Sequence, residues 1–236
     1  MGRLGVGLND DWRKIEFPNP NLAGEDGLLC VGGAIVPELL LRAYSVGVFP
    51  WPQRGMPILW FCPEERGVLD FAEVHWSRRL LREIKKNRFE IRFNTAFEKV
   101  IRECAEAKRQ GESDTWILPE MIDGYIQLHQ LGYAHSVECW RGEALVGGLY
   151  GVYVDGVFSG ESMFYKESDA SKICLYHLIE QLKASGLHWM DIQMVTPVLK
   201  SVGGKYIARS EFLNRVNEGK AHLPPLFFLR SFSRTE

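Results

Sequence analysis

The sequence predicts an α+β protein with a small N-terminal domain, residues 1–65, and a larger domain, residues 66–236, that contains a mixed sheet. Residues 135–164 indicate three successive strands, because apolar side chains alternate and Asp155-Gly156 is a typical two-residue hairpin turn. Residues 158–193 indicate a strand, a helix and a strand, an order that makes the two strands parallel. Around residues 64–68 the composition changes from glycine, proline and aromatic residues to charged residues, which marks the domain boundary.

The N-terminal domain is predicted to hold one short buried strand and one helix. Residues 27–33 are apolar and end in two glycines, which is typical of a strand followed by a tight turn. Pro37 begins a helix that Gly47 ends. The proline-rich segments 48–52 and 58–63 are interpreted as loops, whose two tryptophans belong either to the core or to a stacking surface.

The larger domain is predicted to contain five helices, one of them short, and five strands before a final strand and helix. Its order is an antiparallel meander, a parallel crossover and a closing strand, which is the layout of the GNAT-like acyltransferase fold. We therefore expect a GNAT-like C-terminal domain. The expected elements are a basic helix at 76–86, a strand at 89–93, helices from about 95 and from 119, strands at 135–140, 144–154 and 157–164, a helix from Ser168 or Asp169 to Gly186, a strand at 187–193, a short helix and loop at 196–204, and the final pair from Ile207.

Composition limits the possible functions. The hydrophobic fraction is 46%, normal for a globular protein, and no apolar run approaches the ~20 residues of a membrane span. The net charge of -2 argues against a protein that coats nucleic acid over its whole surface. One segment is nevertheless strongly basic, which indicates either a solvated helix face or a local contact with a polyanion. Its basic residues are Arg78, Arg79, Arg82, Lys85, Lys86, Arg88 and Arg92.

The cysteines and histidines give no sign of a metal site. The five cysteines are scattered and odd in number, so we expect free thiols in a reducing cytoplasm. The six histidines lack metal-ligand spacing. The first residues lack the apolar core of a signal peptide, which also favours the cytoplasm.

Three polar residues stand out in the strand–helix–strand unit. Glu161 lies in the first strand, and Asp191 and Gln193 end the second. The carboxyl ends of parallel strands face one crevice, so we expect these side chains to converge there. A buried carboxylate needs a partner or a task, and the alternative is that all three cap strands or lie exposed.

The known cofactor-binding motifs are missing from this region. Residues 165–172 contain no glycine and two carboxylates, unlike the glycine-rich turn that grips the pyrophosphate of acyl-CoA. The sequence also lacks a Walker motif, a dinucleotide fingerprint and a serine-nucleophile elbow. An activated acyl donor other than acyl-CoA therefore remains open, and we expect no cofactor.

A series of short motifs carries a family resemblance. They are Gly27-Leu28-Leu29 with Gly32-Gly33, Gly47-Val48-Phe49-Pro50-Trp51, Pro57-Ile58-Leu59-Trp60, Thr115-Trp116-Ile117, His135-Ser136-Val137-Glu138, Gly147-Gly148-Leu149-Tyr150-Gly151, Gly160-Glu161-Ser162-Met163-Phe164, Ala170-Ser171-Lys172, Asp191-Ile192-Gln193 and residues 196–212. In this order they resemble the leucyl/phenylalanyl-tRNA–protein transferase family of bacteria. That resemblance implies transfer of Leu, Phe or Met from aminoacyl-tRNA to proteins or peptides that begin with Arg or Lys, which marks them for N-degron proteolysis. It implies neither a metal nor CoA, and we expect a cytoplasmic monomer without a membrane partner.

The resemblance also implies roles for the polar residues. Gln193 would accept a hydrogen bond from the attacking amine, and Asp191 would polarise and orient Gln193. A glutamine alone is too weak a base, so the two form a relay in this interpretation. Glu161 would hold an ammonium group of the donor or of the acceptor.

Further residues are assigned to the substrates by the same resemblance. Trp51 and Trp116 would sandwich the terminal adenosine of the tRNA. An apolar pocket around the donor side chain would admit Leu, Phe and Met, since each methylene changes binding by only ~1–3 kcal/mol. The candidates for this pocket are Ser162, Met163, Phe164 and Ile192. The tRNA phosphates would contact Arg78, Arg79, Arg82, Lys85 and Lys86.

Two alternatives remain open at this stage. One is another aminoacyl-tRNA-dependent transferase of the same fold, such as those that build cell-wall peptides, and the other is a non-catalytic tRNA-binding module. The sequence also departs from the family pattern at Phe61-Cys62, Glu64-Glu65, 197–199 and 203–204. The departures after Gln193 leave the substrate preference less constrained than the reaction.

Overall fold

A computed structural model describes residues 10–107 and 115–219. The residues considered for a signal peptide and the end of the larger predicted domain lie outside this part of the chain. After two short 3-10 turns, Asp10–Lys14 and Pro20–Leu22, the first elements are strand β1 (Leu28–Val31), helix α1 (Pro37–Ser45), strand β2 (Phe49–Pro50) and strand β3 (Leu59–Phe61). The three strands form a small antiparallel sheet in the order β1-β3-β2.

The interpretation of segments 48–52 and 58–63 as loops is wrong, because each contains a short strand. The backbone amide of Trp51 donates to the Leu59 carbonyl at 2.8 Å, which continues the pairing of β2 with β3. Pro50 is compatible with this sheet because β2 is an edge strand, where a missing N–H leaves no partner unsatisfied.

The large sheet has seven strands in the order β10-β4-β9-β8-β7-β6-β5. All neighbouring pairs are antiparallel except β8 with β9, which are parallel. The predicted α+β, GNAT-like layout with a mixed sheet is thereby confirmed. Its strands are β4 (Glu65–Asp70), β5 (Glu90–Phe93), β6 (Ala134–Arg141), β7 (Ala144–Val154), β8 (Val157–Tyr165), β9 (Trp189–Gln193) and β10 (Lys205–Ala208).

Strand β4 was likewise not predicted from the sequence. It occupies the segment where the composition changes to charged residues, among them Arg66 at its second position. The arginine is instead buried in an ion pair, so the charge does not mark the surface. The predicted domain boundary, between residues 65 and 66, falls inside this strand after its first residue, and it stays a prediction.

Six helices follow α1, at positions close to those predicted. Asp169 lies at the N-cap of α5 as expected, but its side chain makes no capping hydrogen bond and instead pairs with Arg79. In the part of the chain that the structure describes, no helix is both long and apolar enough to cross a bilayer. The helices are α2 (Arg78–Lys85), α3 (Phe97–Glu106), α4 (Pro119–Gln130), α5 (Ala170–Ala184), α6 (Pro197–Lys200) and α7 (Arg209–Gly219).

Two core clusters cover the large sheet. The first core cluster joins α1, α3, α4, α7 and the small sheet to the large sheet. The second core cluster is built around the apolar side of α5. Residues that alternate along β8 and β9 are therefore divided between two separate apolar environments. This division decides which of the predicted site residues can meet.

Candidate active site

The parallel pair β8 and β9 brings two predicted site residues into contact. Ser159 lies opposite Asp191 in the register of these strands, and two residues further along the Gln193 side-chain amide donates to Glu161 Oε1 at 2.7 Å. The expected convergence of Glu161, Asp191 and Gln193 therefore occurs at this place in the sheet.

A β-bulge in β8 presents Glu161. Tyr150 faces Ser162 and Gly151 faces Gly160, so Glu161 has no partner on β7 and its side chain is re-aimed. Gly151 permits the bulge, because a Cβ atom at this position would lie 2.4 Å from the Ser159 carbonyl oxygen. The bulge thus depends on glycine in the neighbouring strand.

Gln193 has an unusual backbone conformation. Its φ angle is 57°, in the left-handed region that non-glycine residues rarely occupy. Its backbone N–H donates to Asp191 Oδ1 at 2.9 Å, and this bond stabilises the conformation. Such strain persists only where neighbouring contacts hold it, and it is frequent at functional sites.

Asp191 is buried, and both of its carboxylate oxygens are paired. Arg66 donates to both of its carboxylate oxygens, from Nε at 2.8 Å and from an Nη atom at 2.7 Å. Ser159 Oγ donates to Oδ2 at 2.9 Å. The guanidinium lies between the rings of Phe49 and Phe212, at 4.4 and 4.5 Å from their centroids. The pairing compensates for the desolvation of both charges, since Arg66 and Asp191 are each only 1% exposed.

The observed contact between Asp191 and Gln193 is not the side-chain contact that the predicted relay needs. The carboxylate accepts from the backbone of Gln193, whereas the side-chain amide is bound by Glu161. Arg66 was missed by the sequence analysis. Its only sequence signal is a single basic residue before the apolar pair Val68-Leu69, which a loop would also give.

Two tyrosines complete the surroundings of Glu161, and the sequence analysis assigned them no role at the site. Tyr44 of α1 donates to Glu161 Oε1 at 2.8 Å, and its oxygen lies 2.5 Å from that of Tyr125 on α4. Burial raises the pKa of Glu161 to about 7; the Tyr44 hydrogen bond opposes this shift and the Asp191 charge adds to it. Burial also raises the pKa of both tyrosines, so both remain protonated hydroxyl donors.

Trp51 and Trp116 are adjacent, as their shared assignment to the adenosine suggested. Their rings stack on each other, with centroids 5.4 Å apart and planes at 18°. A base inserted between them would need two stacking distances, about 7 Å in total. In this arrangement the rings form a closed pair, and an adenine would have to part them or stack on an outer face.

The candidates for the donor pocket do not form one cluster. Phe164 is buried in the first core cluster, whereas Ile192 lies in the second, with Met163 packed against it. The reason is the period of two in a strand, which sends consecutive side chains to opposite faces. Met163, Phe164 and Ile192 therefore do not line one pocket in this structure. Ser162 is half-buried in β8.

The basic helix α2 is only partly free to meet an anion. Arg79 is paired with Asp169 at 2.5 Å, and Lys86 with Glu83 at 2.8 Å. An open depression of about 490 Å³ is lined by the other three predicted residues and Leu81. Those three are Arg78, Arg82 and Lys85.

A larger groove that the sequence analysis did not predict lies beside the candidate site. It has a volume of about 900 Å³ and includes Met194, the residue after Gln193. Aromatic side chains form part of its wall, and carboxylates of two separate segments form another part. They are Phe49, Trp51 and Phe61, and Glu25, Asp26, Glu64 and Glu65. Within residues 10–107 and 115–219, no group of three His, Cys, Asp or Glu side chains is arranged to hold a metal ion.

The fold and the site together define a protein with a GNAT-like mixed sheet and a polar cluster at its parallel strand pair. Models of the leucyl/phenylalanyl-tRNA protein transferase and of its N-terminal domain match residues 68–217 and 33–64. The chain belongs to the leucyl/phenylalanyl-tRNA protein transferase family, which confirms the resemblance seen in the motifs.

Individual relatives agree with this membership over nearly their whole length. A leucyl/phenylalanyl-tRNA–protein transferase of Maridesulfovibrio salexigens is 48% identical over 215 residues, 89% of this chain and 90% of the relative. One from Anaeromyxobacter sp. is 48% identical over 204 residues, 86% and 87% of the two chains.

A solved structure of a functionally unknown conserved protein from Staphylococcus epidermidis has 10% identity and a TM-score of 0.40, over 61% of this chain and 57% of that one.

Proposed function

We propose that this chain transfers leucine, phenylalanine or methionine from aminoacyl-tRNA to the amino terminus of proteins that begin with Arg or Lys. Such transfer marks the acceptor for N-degron proteolysis. The observation that carries the proposal is the hydrogen bond from the Gln193 amide to Glu161, which leaves the Gln193 carbonyl oxygen available as an acceptor; the next residue, Met194, lines the groove. Membership of the transferase family supports the same reaction.

The reaction needs little covalent chemistry from the protein. The aminoacyl ester is already activated, and the nucleophile is the neutral amine of the acceptor. Its nitrogen attacks the ester carbonyl, the C–N bond forms, the C–O bond to the terminal ribose breaks, and the amine proton ends on the ribose oxygen. Holding both substrates in an attack geometry can supply a large part of the acceleration.

Gln193 orients the amine in this proposal. An amide oxygen is a good hydrogen-bond acceptor but a weak base, so it aligns the nitrogen lone pair with the carbonyl carbon rather than storing a proton. Asp191 acts one step further away, because it fixes the backbone of Gln193. Arg66 balances the charge of Asp191, so the carboxylate serves as a support.

The acidic groove supports the choice of cationic acceptors. Four carboxylates, of Glu25, Asp26, Glu64 and Glu65, line one cavity with aromatic side chains. An amino-terminal Arg or Lys brings one side-chain cation and an aliphatic stem, which suit carboxylates and aromatic faces. The residue pair Glu64-Glu65 is also one of the departures from the family pattern.

The tRNA would be held by its phosphates at α2. Arg78, Arg82 and Lys85 line one open depression, where they can neutralise a backbone without reading its sequence. The paired Trp51 and Trp116 would receive the terminal adenosine once it parts them or stacks on an outer face. The donor pocket would be lined from one face of the sheet only, either by Phe164 or by Met163 and Ile192.

We also propose that the protein works as a monomer in the cytoplasm. All five cysteines are free and four of them are buried, which suits a reducing compartment. Light scattering of the purified protein, alone and with aminoacyl-tRNA, tests the monomer. A stable dimer in both samples would contradict it.

The reaction is tested by transfer of radiolabelled leucine from leucyl-tRNA to a test protein that begins with Arg, beside the same protein beginning with Ala. Label on the Arg protein alone is the expected result. In the Gln193→Ala variant we expect transfer to fall by about 100-fold or more with tRNA affinity kept, since one preorganised hydrogen bond is removed. Gln181→Ala, an exposed glutamine on α5, is the matched control. Bound tRNA with no label on either protein would favour a non-catalytic tRNA-binding module.

A further inference from the structure

We propose that Tyr44 and Tyr125 are positioning residues, which hold Glu161 as a carboxylate and thereby decide which end of the Gln193 amide faces the acceptor amine. The inference rests on the proposed function, because it concerns the orientation of the Gln193 side chain, which orients the amine. It adds two residues, from helices α1 and α4, to a site otherwise built from the sheet.

The hydrogen bonds around Glu161 run in one direction. Oε1 accepts from Tyr44 at 2.8 Å and from Gln193 Nε2 at 2.7 Å. Tyr44 has a single hydroxyl proton, which it gives to Glu161. Tyr125 must therefore be the donor in the 2.5 Å contact between the two hydroxyls. Its own distance to Glu161 Oε2 is 3.4 Å, too long to compete with that contact.

The protonation of Glu161 decides how Gln193 can bind. A carboxylate only accepts hydrogen bonds, so it can hold the glutamine only by its NH2 group. The carbonyl oxygen then faces away from Glu161, where an amine can donate to it. A protonated Glu161 can donate to the carbonyl oxygen instead, which turns the amide around and presents its NH2 group to the amine. In that orientation Gln193 cannot accept from the nucleophile.

The residues around Glu161 place its protonation equilibrium near neutral pH. Burial raises the pKa of Glu161 to about 7, and the Tyr44 hydrogen bond is the largest influence in the opposite direction. The charge of Asp191 raises the pKa further and that of Arg66 lowers it, but these two charges are fixed in their own ion pair. The groups that face Glu161 are Tyr44 of α1, Tyr125 of α4, Arg66 of β4, and Asp191 and Gln193 of β9.

The carboxyl group can be followed in the free enzyme, without any substrate. Protein labelled with 13C at the glutamate carboxyl carbons is titrated by NMR, and the Glu161 signal is assigned from its disappearance in Glu161→Gln. We expect the pKa of Glu161 to rise in Tyr44→Phe and to rise less in Tyr125→Phe. Tyr153→Phe, which removes a hydroxyl in the second core cluster, is the control and leaves it unchanged. An unchanged pKa in Tyr44→Phe would overturn the inference.

Transfer kinetics then connect the carboxyl group to the reaction. The kcat/KM of Tyr44→Phe and of the wild type is compared between about pH 6 and pH 8.5, with the same donor and acceptor so that the titration of the acceptor amine is common to both. We expect a decrease of about tenfold at the acid end that shrinks toward the alkaline end, because a hydrogen bond to a charged group is removed. A merely structural role would lower the rate equally at every pH, and that result would overturn the inference. Absence of transfer by the wild type would overturn the proposed function itself, whatever the titration showed.

Discussion

At the scale of single residues, the site depends on charges that are buried in pairs. Arg66 and Asp191 are both almost fully removed from solvent, and each of the two Asp191 oxygens accepts two hydrogen bonds. Desolvation of two ions is costly unless the geometry is good, and here it is bidentate. Removing one partner is therefore expected to matter far more than removing a surface ion pair.

Replacing Arg66 by Ala tests this expectation. The change leaves Asp191 as a buried charge without its cation, so we expect the free energy of unfolding to fall by about 3–5 kcal/mol. Urea unfolding followed by circular dichroism measures the decrease. Arg102→Ala removes an exposed pair with Glu98 and serves as the control, with an expected decrease of at most about 1 kcal/mol. Equal decreases in the two variants would show that the buried pair has no special role.

Glu161 gives a second prediction, which concerns the pH dependence of stability. Its pKa is about 7 in the folded protein against an ordinary value of 4.5, so the folded state binds more protons between these values. Stability must then fall as the pH rises from the unfolded value toward 7, by about 2 kcal/mol when the partial exposure of the residue is allowed for. Glu161→Gln removes this fall, and urea unfolding at several pH values measures it. If the variant's stability had the same pH dependence as that of the wild type, Glu161 would not be the group responsible for the fall.

At the scale of elements, a bulge and a strained strand end aim the two side chains that meet. The bulge in β8 leaves Glu161 without a partner on β7, and the positive φ of Gln193 ends β9. Both irregularities have a glycine opposite them. Gly151 leaves room at the bulge, and a Cβ atom on Gly67 would lie 3.0 Å from the Met194 backbone. Regular strands would place neither side chain where it is.

Gly151→Ala tests the bulge. The new methyl group would lie 2.4 Å from the Ser159 carbonyl oxygen and 2.6 Å from the Phe158 ring, so the backbone must shift. We expect stability to fall by about 1–3 kcal/mol and transfer to fall by a larger proportion, because Glu161 is re-aimed. Gly142→Asn is the control, since that glycine has open space and asparagine tolerates its positive φ. Full transfer by a stable Gly151→Ala protein would contradict the role of the bulge.

At the scale of the whole molecule, the chain brings together residues that lie far apart in sequence. Arg66 and Asp191 are separated by 125 residues, and Tyr44 and Glu161 by 117. The site therefore needs the N-terminal helix α1, the central helix α4 and three strands of the large sheet. The basic helix α2 packs with α5, the helix of the second core cluster, whereas the tyrosines belong to helices of the first.

The tRNA surface gives the prediction that belongs to this scale. Replacing Arg82 and Lys85 by Glu should weaken tRNA binding and reduce the slope of log K against log salt by about 0.7–0.9 for each phosphate that the protein no longer neutralises. Binding is measured by filter retention over a series of salt concentrations. Arg102→Glu on α3, which does not line the depression, is the control for reversing a surface charge elsewhere. An unchanged slope in the α2 variant would identify that helix as a solvated face.

Much of the fold could be predicted because its patterns are local. The alternation in β6, β7 and β8 and the turn at Asp155-Gly156 lie within a few residues of one another, and so do the ends of α5. Strand β4 could not be predicted, because its arginine is paired by a residue that the sequence gives no reason to place beside it. The motifs pointed to Glu161, Asp191 and Gln193. Tyr44, which binds Glu161, and Tyr125, which contacts Tyr44, sit on helix faces that apolar packing alone would explain.

The strand order of the large sheet has a consequence for biosynthesis. β4 is made early, yet both of its neighbours, β9 and β10, come from the end of the described chain. At ribosomal speed the intervening residues take on the order of ten seconds to appear, and during that time both edges of β4 lack their strands. The nascent chain therefore carries β4 without either of its neighbouring strands, and Arg66 is still without Asp191. A ribosome-bound chain that stops before β9 cannot possess the Arg66–Asp191 pair, so the site can form only after β9 has been made.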